Sequence, residues 1–81
     1  MHRQYSQSFA LEATVGFGIV EFTVFPDREE VMVQRYGLRV ANGVSWYAPS
    51  ERESMVSKEQ ARAIWSKLER EGYQRRSEKS L

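Results

Sequence analysis

Apolar and polar residues alternate from Phe9 to Val15. Phe9, Leu11, Ala13 and Val15 fall on one side, and Ala10, Glu12 and Thr14 on the other. This period of two predicts a half-buried strand. Gly16 and Gly18 then bracket Phe17 and mark a turn or bulge. Ile19 to Phe25, "IVEFTVF", is dense in β-branched and aromatic residues and predicts a second strand, with Val20, Phe22 and Val24 sharing one face. After the turn signal "PDREE", Val31 and Val33 alternate with Met32, Gln34 and Tyr36 in a third strand. Gly37 permits a bend or bulge before Leu38 to Ala41.

Asn42-Gly43 is a strong signal for a two-residue type I′ hairpin, because that turn needs positive φ at both positions. The turn fixes the pairing: Ala41 with Val44, Val40 with Ser45, Arg39 with Trp46, and Leu38 with Tyr47. Side chains alternate across the sheet, so Trp46 and Tyr47 point in opposite directions. Pro49 closes that strand, and a polar loop, "SERES", follows.

From residue 57 the period changes. Ser57 with Gln60 forms a capping box, and Val56 is placed to staple against Ala61. Ala61, Ile64, Trp65 and Leu68 then make one apolar stripe. Gly72 suits a left-handed C′ position, and Tyr73 beyond it packs back on Leu68. The helix is expected over 58–71, with its stripe against the sheet. Leu38, Val40 and Tyr47 form the more apolar face of the hairpin, and on that ground they are expected to meet the helix. Trp46 is left on the opposite face, across from Arg39, within reach of a cation–π contact.

The expected architecture is α+β: an antiparallel meander of three or four strands with one C-terminal helix packed on one face. Its organisation is a frayed N-terminus at 1–8, a single domain at 9–73, and a flexible basic tail at 74–81.

Composition narrows the chemistry. The chain has 81 residues and no cysteine, which excludes disulfides and thiolate metal sites. Its one histidine, His2, stands in the expected frayed terminus, so neither a histidine-based nucleophilic site nor a zinc site has its usual parts. Glu29-Glu30 and Glu51/Glu53 lack the spacing of a calcium loop, and Glu12 and Glu21 read as solvent-side strand positions. "GFG" at 16–18 is too short for a phosphate loop. No catalytic residue, cofactor or metal is expected. There is neither a secretory signal pattern nor an apolar run long enough to span a membrane, and a cytoplasmic setting is the expectation.

The net charge of +1 hides an asymmetry: five basic and seven acidic residues precede Ser57, whereas seven basic and four acidic ones follow from there. Arg75 and Arg76 carry part of that excess. Together with Arg35, Arg39 and Trp46 they are the candidate partner-binding residues, because Trp and Arg are frequent interface anchors. Trp46 has two readings here. It lies flat over the sheet, shielded by Arg39, or it anchors a partner. The leading expectation is a small non-enzymatic protein-binding module, an adaptor or regulator. The alternative is single-stranded nucleic-acid binding, with bases stacked on Trp46 and phosphates met by arginine, though no RNA-recognition signature is present. A homodimer pairing exposed strand edges is a third possibility.

Ser57, Glu59, Gln60, Trp65, Leu68, Gly72, Tyr73 and Arg75 form a pattern of cap, W-x-x-L and G-[WY]-x-R. This quarter of the chain resembles the closing helix of short uncharacterised cyanobacterial α+β proteins. The resemblance implies an accessory or regulatory protein that docks onto a larger protein, such as a metabolic enzyme.

Overall fold

The computed structural model describes residues 6–14 and 18–76. Six antiparallel strands and one helix make an α+β fold: β1 (Gln7–Glu12), β2 (Gly18–Val24), β3 (Glu30–Ala41), β4 (Val44–Pro49), β5 (Ser54–Ser57), α1 (Lys58–Arg70) and β6 (Gln74–Arg75). The first four run as a meander, and the sheet reads β4-β3-β2-β1-β6, with β5 also pairing with β3. Two strands therefore exceed the expected three or four. β5 lies within the stretch read as polar loop and helix entry, and only its Val56 is even half-buried. β6 begins the tail that was expected to be flexible: Gln74 and Arg75 pair with Glu12 and Leu11, and the Arg76 N–H donates to the Ala10 carbonyl at 2.8 Å. Residues 1–5, 15–17 and 77–81 lie outside the described residues, and with them Val15, Phe17, His2 and the rest of the tail.

β3 organises the sheet. One of its edges pairs with β2 from Val31 to Gly37. The other is shared, with Glu30–Val33 bonded to β5 and Tyr36–Ala41 to β4. The gap between those two partners is closed by the connecting loop. Ser50 N–H donates to the Arg35 carbonyl at 2.9 Å, and Gln34 Nε2 donates to the Glu51 carbonyl at 2.7 Å. Buried Gln34 thus satisfies its side-chain amide on the loop backbone, donating also to the Arg35 carbonyl at 3.2 Å.

The core lies on the helix side. Leu11, Val20, Phe22, Val31 and Val33 come from the sheet, and Ala61 and Leu68 from the helix. Val56, Ile64, Trp65 and Tyr73 pack around them, and the Trp65 ring meets Phe22 edge-on at 5.1 Å. Leu11 is fully buried. The expected stripe is therefore a core stripe, but its partners differ from those expected. Leu38, Val40 and Tyr47 lie outside this cluster, and Val40 is 67% exposed.

The reason is Gly37. It holds a regular register opposite both Gly18 and Ala48, with no bulge, so alternation carries through from Val31 and Val33 to Arg35, Gly37 and Arg39. Arg39 and Trp46 thus share the helix side of the sheet, and Leu38, Val40 and Tyr47 its reverse.

Both ends of α1 match the sequence signals. Ser57 Oγ accepts from the Gln60 N–H, and Gln60 Oε1 accepts from the Ser57 N–H, each at 3.0 Å. At the far end Gly72 has φ +103°, the Tyr73 N–H donates to the Leu68 carbonyl and the Gly72 N–H to that of Glu69. That pair of bonds is a Schellman motif, and the chain beyond it pairs with β1. Thr14 Oγ1 locks the return by donating to the Gly72 carbonyl at 2.8 Å.

Candidate functional site

The end of the β3–β4 hairpin departs most from what a self-contained domain needs. Asn42 (φ 52°) and Gly43 (φ 77°) make the expected turn, and the four expected pairs, Ala41–Val44 through Leu38–Tyr47, all form. Among the described residues, Leu38–Ala41 pairs with β4 alone, because β2 reaches only to the level of Gly37. The hairpin end is thus a two-stranded arm. Such ribbons are marginal on their own.

This arm carries large apolar side chains to solvent on both faces. Val44 (59% exposed) and Trp46 (46% exposed) lie on one face, and Val40 on the other. Arg39 stands directly opposite Trp46. The cation–π contacts among the described residues lie elsewhere, at Arg28 with Phe25 and at Arg75 with Phe9 and Trp65, so the expected Arg39–Trp46 contact is not formed. Trp46 is thus about half exposed and has no cation–π contact with its cross-strand neighbour.

The five candidate residues do not make one platform. Arg39 and Trp46 share the arm, and Arg35 lies on the same strand nearer the body, 3.9 Å from a Glu51 carboxylate oxygen. Arg75 and Arg76 lie on or beside β6, at the opposite edge of the sheet. There Arg76 faces Glu12 at 4.0 Å, and the Arg75 guanidinium stands 6.0 Å from the Phe9 ring centre and 5.8 Å from that of Trp65.

A concave feature has no counterpart among the sequence expectations. Between the first turns of α1 and the sheet runs a groove of about 530 Å³, with Phe9, Phe22, Val24 and Val31 as its floor. Ala61 and Trp65 form the helix wall, with Lys58, Arg62 and Ser66 on the same side. These helix positions follow i, i+3, i+4, i+7, i+8, a stripe overlapping the core stripe at Ala61 and Trp65. The spacing is visible in the sequence, but the presence of Lys58, Arg62 and Ser66 among its positions hides it from a search for an apolar stripe.

On the reverse face, the Tyr36 hydroxyl donates to Glu21 Oε1 at 3.1 Å. Burial first, then the charge of Glu21 and this hydrogen bond, with a smaller effect of Glu53, hold the phenol above its ordinary pKa of 10.0. Ser8 and Thr23 are hydroxyl partners at 3.2 Å on the same face. Among the described residues no three His, Cys, Asp or Glu side chains converge as metal ligands, and no helix is long and apolar enough to cross a membrane. No family model, curated protein or solved structure matches the chain.

Proposed function

We propose that this chain is a small non-enzymatic protein-binding module, a cytoplasmic adaptor or regulator that docks onto a larger protein through the end of its β3–β4 hairpin. The observation that carries this reading is the exposure of Val40, Val44 and Trp46 on an arm that buries none of them in the domain's own core. Large apolar side chains left exposed on both faces of one arm favour an interface, and Trp and Arg are among the residue types enriched in interface anchors. A complementary groove on the partner receives the two-faced ribbon, with Trp46 and Arg39 on one side and Val40 with Tyr47 on the other. The resemblance of the closing helix to that of short uncharacterised cyanobacterial α+β proteins implies the same kind of partner. The separation of Arg75 and Arg76 from Trp46 weighs against a single nucleic-acid platform.

The test is affinity capture from native lysate by the unsubstituted protein and by a Val40→Ser/Trp46→Ala variant, with and without nuclease. The reading expects a stoichiometric protein that survives nuclease and is lost with the variant. A partner held equally by both proteins, or recovery abolished by nuclease, would overturn it.

A further inference from the structure

We infer that the groove between α1 and the sheet is a binding site for an anionic amphiphile, an alkyl or aryl chain ending in a carboxylate. The site is independent of the hairpin arm. At about 3.3 Å per residue, the steps along β3 from Val31, in the groove floor, to Ala41, at the turn, span about 33 Å.

Three observations define the ligand class. The volume of about 530 Å³ falls in the range of small-molecule sites, roughly 300–1,000 Å³. Its floor is apolar and partly aromatic, with buried Phe22 and Val31 beside half-buried Phe9 and Val24. The charged residues lining it are Lys58 and Arg62, both cationic, one helical turn apart on the same wall. Among the described residues no carboxylate lines the groove. Glu59 is turned about 100° round the helix from Lys58; it is a helical neighbour of Arg62, three residues on, but forms no ion pair with it, and Glu30 precedes Val31 and points to the other face of its strand. Among the described residues neither Lys58 nor Arg62 has an ion-pair partner.

Arg75 adds a third cation at the edge, its guanidinium near both the Phe9 and Trp65 rings that line the groove. A chain lying along Phe9, Phe22 and Trp65 places its terminal carboxylate toward Lys58 and Arg62, where charge-assisted hydrogen bonds select an anion. A neutral chain would gain only the apolar contact. A cationic chain would meet like charge.

Trp65 reports on the site directly. The chain has two tryptophans, so Trp46→Phe leaves Trp65 as the sole indole. Titrating that variant with dodecanoate below its micelle-forming concentration is expected to give a saturable change in Trp65 emission, and dodecyltrimethylammonium is expected to give none. Lys58→Gln and Arg62→Gln, both at exposed positions, should each weaken dodecanoate binding by about ten-fold, as loss of a charge-assisted contact does. Arg28→Gln, a cation outside the groove, should leave it unchanged. The absence of a saturable response to dodecanoate, or an equal response to the cationic amphiphile, would overturn the assignment. So would undiminished binding in the two groove variants with the circular dichroism unaltered.

Discussion

Replacing Ser57 by Ala tests whether α1 is held by its cap as strongly as the geometry implies. Ser57 ends β5 and caps α1 at once, and it is solvent-exposed, so truncating its side chain leaves no cavity. What is lost is the acceptor for the Gln60 N–H at 3.0 Å, and with it the geometry that lets Gln60 Oε1 return a bond to the Ser57 N–H. Loss of such a cap costs about 1 kcal/mol, within a range of about 0.5–2. For a domain of this size that lowers Tm by about 4–8 °C. Thermal unfolding followed by circular dichroism measures it. Ser57→Thr should preserve the cap and most of the stability. Ser57→Asp is a poorer rescue here because Ser57 pairs with Glu30 across β5 and β3, and like charges at opposed positions repel. If Ser57→Ala left Tm within about 1 °C, far below the range expected for a lost cap, the helix would owe nothing to its capping box and the reasoning would fail.

Three further outcomes follow from the core, the helix stop and the reverse face. Leu11→Ala removes the one large side chain that is fully buried among the described residues and should cost about 2–5 kcal/mol in urea unfolding, the range for such cavities; a loss under about 1 kcal/mol would mean the core is not centred there. Gly72→Ala should cost about 1–2 kcal/mol, because φ of +103° strains any L side chain even though its Cβ would meet Thr14 Oγ1 at an ordinary 3.5 Å; an unchanged midpoint would refute the left-handed stop. Tyr36 has a folded pKa raised above 10.0, so its contribution to stability is whole below that value and is lost as pH rises through the higher folded value. Tyr36→Phe should therefore flatten the fall in stability above about pH 10, measured by urea unfolding at stepped pH. Equal slopes in both proteins would contradict the raised pKa.

Local signals proved legible wherever a short stretch of chain decides its own geometry. Asn42-Gly43 fixed the hairpin register pair by pair, and Ser57, Gln60 and Gly72 fixed both helix ends. The facing of Leu38 and Trp46 was misjudged for a nonlocal reason. Scoring the hairpin by its own apolar content favoured Leu38, Val40 and Tyr47 as the inner face. The inner face of β3 is instead set earlier in the strand by Val31 and Val33, and it carries through Gly37 because that glycine stays in register. β5 and β6 were hidden because strands of four and two residues have almost no periodicity to show; they exist because the edges of β3 and β1 supply their hydrogen bonds. The groove was hidden because Phe9 and Trp65 are far apart in sequence, and only the return of the helix over β1 and β2 brings their rings to one concavity with Lys58 and Arg62.

The arm and the groove lie at opposite ends of β3, so one experiment separates them. Hydrogen exchange read by mass spectrometry on the purified complex with the captured partner tests the docking proposal most directly. New protection is expected across Leu38–Tyr47, with peptides containing Phe9 and Lys58–Ser66 exchanging as in the free protein. Protection confined to Phe9 and α1, with the hairpin end unchanged, would contradict it.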